Sequence, residues 1–171
     1  MWGRDYKKHA YSFLKRVYPY VDNWKDADSI IDSLDKMFWN YGKSAYFEMG
    51  SSRMVIVGKD FVIKWDYDEK VISEIGGCEE EFQIYMKSLS TGYSYLLAPI
   101  YRFSYQNKKF YIMPRIHNIG LREHGYKKLK ECVTPNEWNW LIKNIGDIHS
   151  YNWGIENNYP VMIDYACHPS M

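Results

Sequence analysis

Cysteine is scarce: the chain has three, Cys78, Cys132 and Cys167, widely spaced and odd in number. A disulfide framework wants an even set and a zinc site wants closely spaced pairs, so the pattern argues against both and suits a reducing compartment. No apolar run approaches the ~20 residues of a membrane-spanning helix. The opening stretch MWGRDYKKHAYSF lacks the apolar core of a signal peptide. There is no Gly, Ser or Pro tract, no internal repeat and no low-complexity segment, which argues against a disordered chain. Neither sign of charge dominates. Twenty-two basic and 21 acidic residues are mixed along the chain and leave a net charge of +1. A general nucleic-acid or membrane-surface role therefore has no electrostatic basis. These absences point to a soluble cytoplasmic protein.

What remains is a chain of 171 residues, 46% hydrophobic, long enough for one domain or one domain with a small extension. Aromatics reach 18%, with 17 Tyr and 7 Trp. A base-stacking platform would need a basic groove beside them, so a tyrosine-rich core and surface is the plainer reading.

Residues 5–18 place Tyr6, Ala10, Phe13, Leu14 and Val17 on one helical face, and Pro19 stops the helix. Residues 28–39 repeat the pattern through Ile31, Leu34 and Phe38, with Asp28 as the expected N-cap. Strand signals follow in Ala45–Phe47, Met54–Val57 and Phe61–Trp65, the last two separated by a turn at Gly58-Lys59-Asp60. CEEEFQIYMKSL reads as a helix with Phe82, Tyr85, Met86 and Leu89 spaced for burial. LLAPIYRFSY and KFYIMPRI read as two strands about a turn at Gln106-Asn107-Lys108. A weak helix over 121–133 precedes Thr134-Pro135-Asn136-Glu137, a capping box with proline at the first helical position. The helix WNWLIKNIGDI and a closing strand, Val161-Met162-Ile163, complete an α+β arrangement with a mainly antiparallel sheet.

Four polar positions carry the chemical argument. Asp147 and Asn152 lie five residues apart where the chain leaves a helix, and Asp164 follows twelve residues later, directly after a strand. A carboxylate and an amide oxygen make a hard site of the kind magnesium takes beside substrate phosphates. Asp147 would then orient or deprotonate an attacking hydroxyl. Lys64 sits in FVIKW, on the same strand face as Val62. It is costly to bury without a partner, and one of Glu79, Glu80 and Glu81 could face it from the next helix. Each residue also has an ordinary explanation. Asp and Asn are common in turns, a lysine can block the edge of a sheet, and acids suit a helix N-terminus.

As a set, these residues resemble the protein-kinase-like fold, including its aminoglycoside and choline phosphotransferase branch. GDIHSYN is similar to that branch's catalytic loop, G-D-x-H-x-x-N. VIK is similar to the strand bearing the phosphate-binding lysine, and IDYA to the metal-binding Asp-Phe-Gly motif with Tyr and Ala substituted. EMGSSR stands where a glycine-rich loop belongs, but G-x-G-x-x-G is absent. The resemblance implies a minimal kinase-like fold: an N-terminal helical extension (1–43), an N-lobe with a five-stranded antiparallel sheet and one packed helix (44–116), and a truncated C-lobe (117–171). It implies ATP and Mg²⁺ as cofactors. Lys64 becomes the phosphate ligand, Glu81 its first-choice partner with Glu80 next, Asp147 the base, and Asn152 and Asp164 the metal ligands. The amides of Gly50, Ser51 and Ser52 would cover phosphates, and the main chain from Met113 to Ile116 would meet adenine. His149 would orient its neighbours. The chain ends five residues after Ala166, where helices holding the acceptor normally follow. Short length and dense Tyr, Trp and Asn usage resemble compact bacteriophage-encoded members, which would act in a host cytoplasm. Two functions follow: a phosphotransferase acting on a protein or small-molecule hydroxyl, or a kinase-like module that holds a nucleotide or a protein partner without turnover. A plain α+β interaction module ranks last.

Overall fold

The computed structural model describes residues 5–41, 45–50, 53–67, 77–117, 125–145, 148 and 150–165. The chain divides into two units, residues 1–74 with 101–115, and residues 75–100 with 116–171. Its class is α+β, as the sequence implies.

The first unit opens with helix α1, Tyr6–Val17, whose buried residues are Tyr6, Ala10, Phe13, Leu14 and Val17, the face expected from their spacing. Pro19 ends the α-helix by tightening it into a 3-10 turn, Tyr18–Tyr20. Helix α2 spans Ala27–Tyr41. Its start lies earlier than expected: Asp26, not Asp28, accepts the Asp28 N–H on its side chain, at 3.2 Å. Ile30, Ser33 and Leu34 are buried there and Ile31 is 41% exposed, so the inward stripe is shifted by one residue at that point. The side chain of Phe38 lies outside the described residues.

Five strands follow in the same unit: β1 (Ala45–Met49), β2 (Arg53–Gly58), β3 (Phe61–Asp66), β4 (Tyr101–Tyr105) and β5 (Lys108–Pro114). They form one sheet in the order β1-β2-β3-β5-β4 with every neighbour antiparallel, as expected. The β4–β5 turn is two residues long, not three. Gln106 and Asn107 both adopt positive φ (48° and 63°) and Lys108 is already paired with Tyr105. That mirror-image turn matches the right-handed strand twist.

Residues opposite one another in a sheet share a face. On one face Met54, Ile56, Ile63, Trp65, Phe110 and Ile112 join α1, Trp24, Ile30 and Leu34 in a single core. Trp24 centres it, with ring centroids 5.1 Å from Trp65, 5.2 Å from Phe110 and 5.0 Å from Tyr18. The Trp65 ring N–H donates to the Trp24 carbonyl at 2.8 Å. Each such large side chain stabilises the unit by roughly 1.5–3 kcal/mol.

The second unit contains α3 (Cys78–Thr91), α4 (Gly125–Cys132), α5 (Pro135–Asn144) and a two-stranded sheet of β6 (Trp153–Glu156) and β7 (Tyr159–Met162). Gly92 ends α3 at φ 80°, and the Tyr93 N–H reaches back to the Ser88 carbonyl at 2.9 Å. The buried face of α3 is Cys78, Glu81, Ile84 and Ser88. Met86 and Leu89, expected inside, are 45% and 48% exposed. A carboxylate with a partner has displaced the more apolar stripe. The capping box at Thr134 is present with Pro135 as first helical residue. Asn157 and Asn158 close the β6–β7 hairpin at φ 51° and 65°. Among the described residues, no helix is long and apolar enough to cross a membrane.

Candidate functional site

In the first unit, Lys64 belongs to β3, the middle strand of five. The edge-strand explanation of this lysine therefore falls. It lies on the sheet face opposite the α1 core, in a row that runs Glu48, Val55, Lys64, Tyr111, Arg102 across all five strands. Lys64 is 6% exposed and Tyr111 is 2% exposed. The next row on that face is Val57, Val62 and Met113. Lys64 thus shares its sheet face with an apolar row.

The β1–β2 connection is tight. The Gly50 N–H donates to the Arg53 carbonyl at 2.8 Å, leaving Ser51 and Ser52 between them. Ser51 and Ser52 themselves lie outside the described residues. A Cβ on Gly50 would meet only the Arg53 carbonyl oxygen, at 3.7 Å, so this glycine is not forced by crowding. Of the run Met113–Ile116, Met113 is buried in β5, Pro114 has no N–H, and the Arg115 N–H is donated to the Asp60 carbonyl at 3.0 Å. In the first unit, then, the Arg115 N–H of this run is already committed.

In the second unit, the β6–β7 hairpin sets the geometry. Trp153 pairs with Met162, and one further rung forms beyond the ladder, where the Ile163 N–H donates to the Asn152 carbonyl at 2.7 Å. Asn152 and Asp164 therefore flank the open end of one hairpin, although twelve residues separate them in sequence. Asn152 is 9% exposed and Asp164 is half-buried. Tyr165 follows, fully buried, and its N–H donates to Glu81 Oε1 at 3.3 Å. Of the three acids that open α3, Glu81 is the one wholly inside, whereas Glu79 lies toward the surface and accepts from Gln83 Nε2 at 2.9 Å. The structure thus brings Glu81, Asn152 and Asp164 into one neighbourhood. Ile116 is buried against the hairpin: a Cβ built on Gly154 would lie 2.5 Å from Ile116 Cγ2. Asp147, His149 and Ala166 lie outside the described residues.

Two residues escaped sequence reasoning. Tyr165 was legible only as a substitution in a motif, yet its hydroxyl donates to the Ala98 carbonyl at 2.8 Å. Glu137 was legible as a capping residue. It also accepts, on Oε1, the hydroxyls of Tyr95 (2.5 Å) and Tyr159 (3.0 Å), 42 and 22 residues away. Burial alone would push the Glu137 carboxyl up, but the bonds from Tyr95, Thr134 and Tyr159 outweigh it and hold it below the usual carboxylate range. The same pocket raises both tyrosines, through burial first and the bond to Glu137 second. No signal in the sequence links these distant partners.

Among the described residues, no cluster of three or more His, Cys, Asp or Glu could hold a metal ion. The hairpin mouth brings together one carboxylate residue, Asp164, and one amide residue, Asn152.

No protein-family model matches the chain. No curated protein matches it either. Among solved structures it is similar to a crystal structure of WbdD, at 13% identity over 72% of this chain and 32% of that one, with a TM-score of 0.48. It is similar to WbdD co-crystallised with a kinase inhibitor at 13% identity and the same coverage, with a TM-score of 0.44. The chain spans about a third of the length of these structures.

Proposed function

We propose that the chain is an ATP- and Mg²⁺-dependent phosphotransferase of the protein-kinase-like superfamily, passing the γ-phosphate to a hydroxyl of a protein or small molecule. One observation carries the reading: a single backbone bond between Asn152 and Ile163 holds Asn152 and Asp164 at the mouth of one hairpin, immediately after a loop with the spacing D-x-x-x-x-N.

Asn152 and Asp164 fit a magnesium ion, which takes one or two protein oxygens and fills its shell with phosphate and water. When bound, that ion would neutralise charge on the transferring phosphoryl group. Lys64 places a fixed positive charge for the α- and β-phosphates, next to the Val57–Val62–Met113 strip on which the base would lie. Glu81, anchored through Tyr165, ties α3 to the segment bearing Asp164. Asp147 takes the proton of the attacking hydroxyl as it approaches phosphorus. The protein's contribution is position and charge rather than a covalent intermediate.

Melting with and without ATP–Mg²⁺ tests nucleotide binding. At 100–1,000 times the dissociation constant the ligand should stabilise the protein by roughly 2–4 kcal/mol, and no shift rejects the proposal. Incubation with γ-labelled ATP then tests turnover, because transfer should vanish in Asp147→Asn. A second reading, nucleotide binding without turnover, is favoured by the β1–β2 turn, whose one glycine N–H is bonded to Arg53. A melting shift without label transfer in the wild type selects it.

A further inference from the structure

Asp164 is bracketed by anchored neighbours. On one side the Ile163 N–H is bonded to Asn152 at 2.7 Å. On the other, Tyr165 is held at both ends, its N–H by Glu81 Oε1 at 3.3 Å and its hydroxyl by the Ala98 carbonyl at 2.8 Å. Ala98 is itself tied to the hairpin, since its N–H donates to the Met162 carbonyl at 2.8 Å and Leu97 bridges Met162 in parallel. The Tyr165 ring has no exposed surface. A closed circuit results, running Met162, Ala98, the Tyr165 side chain, the Tyr165 backbone and back to Met162. A phenylalanine would fill the same cavity and leave that circuit open.

We infer that the Tyr165 hydroxyl is a positioning group that locks Asp164 in one place, so that the cation site at the hairpin mouth is formed before any ligand arrives. This deepens the phosphotransferase reading and rests on it for the identity of the cation. The hydroxyl is suited to the task. It is wholly buried, and its oxygen stands 2.8 Å from the Ala98 carbonyl, which can only accept. A swing of Tyr165 out of its cavity would break two hydrogen bonds and expose a whole aromatic ring, a cost that opposes control by such a swing. Regulation of this site, where it occurs, would then act elsewhere than on the segment bearing Asp164.

Tyr165→Phe in the full chain tests this, because it removes one oxygen and keeps the ring. Hydrogen exchange read by mass spectrometry should speed up by about fivefold or more in peptides covering residues 160–165, the equivalent of one lost hydrogen bond. Peptides of α1 and α5 should keep wild-type rates. In a Mg²⁺ titration of the ATP-dependent melting shift, the midpoint should rise severalfold, while any shift produced by ATP in EDTA stays as in the wild type. Unchanged exchange at 160–165 overturns the lock. So does exchange that rises uniformly through the second unit, which would mark a merely structural hydroxyl. Faster exchange with an unmoved Mg²⁺ midpoint overturns the link to the cation site. A wild type that ATP–Mg²⁺ never stabilises sinks the phosphotransferase reading instead, and the exchange comparison alone then decides the lock.

Discussion

Glu137→Gln isolates the network that joins α5 to the rest of the second unit. In the wild type, Oε1 accepts from Tyr95 and Tyr159 while Oε2 accepts from the Thr134 N–H. Glutamine keeps one acceptor oxygen and replaces the other with an NH₂ donor. If the carbonyl faces the tyrosines, the NH₂ faces the Thr134 N–H, donor against donor. The reverse orientation leaves both tyrosine hydroxyls without their charged acceptor. Bonds to a charged acceptor are worth about 1.5–3 kcal/mol each and a lost cap about 1 kcal/mol, so the substitution should cost roughly 2–4 kcal/mol. The sign of the pH dependence follows from the carboxyl being held below its usual range. Its contribution is fully present above the unfolded value, about pH 4.3 for glutamate, and is lost as pH falls through the folded value. The gap between wild type and variant should therefore be widest near pH 7 and shrink below about pH 4. Urea unfolding followed by tryptophan fluorescence is a suitable assay, because Trp138 and Trp140 belong to the same helix. Equal midpoints at pH 7, or a gap that stays constant to pH 3, would refute this account of Glu137.

Lys64→Met should remove most of the ATP-dependent melting shift, because the variant lacks the positive charge set against the phosphates; circular dichroism melts of wild type and variant with and without ATP–Mg²⁺ measure it. Gly154→Ala should cost about 1–3 kcal/mol in chemical denaturation, because the new methyl would meet Ile116 Cγ2 at 2.5 Å and the His117 carbonyl oxygen at 3.0 Å. Asp60→Asn should change stability by less than about 1 kcal/mol in the same assay, even though His9 Nδ1 lies 2.6 Å from Asp60 Oδ2, because both side chains are well exposed.

Local signals made much of the fold legible. The α1 stripe, the Thr134 capping box and the five strands each rest on neighbours within a few residues, and the structure keeps them, except that the strand read over LLAPIYRFSY begins only at Tyr101. The misread positions have separate causes. On α3 the apolar spacing of Phe82, Met86 and Leu89 suggested one face, but Glu81 has a backbone partner 84 residues away and turns inward. On α2 an acid at position 26 caps the helix ahead of Asp28. Within the candidate site, the hairpin rung joins Asn152 to Ile163. The bonds of Tyr165 and Glu137 depend on long-range contacts that no periodicity encodes. Lys64 was legible as a buried lysine on the Val62 face, but its place in the middle strand required the sheet order.

The first two helices were read from sequence as an extension, and their packing changes how the protein can be divided. They supply Tyr6, Ala10, Phe13, Leu14, Val17, Ile30 and Leu34 to the core that covers one face of the sheet. A fragment starting at residue 44 would present Trp65, Phe110, Ile63 and Ile56 to water on a bare β-surface. Such a fragment should clump or fail to fold, whatever nucleotide is offered to its other side. Any deletion series meant to find the smallest working piece must therefore begin upstream of Tyr6.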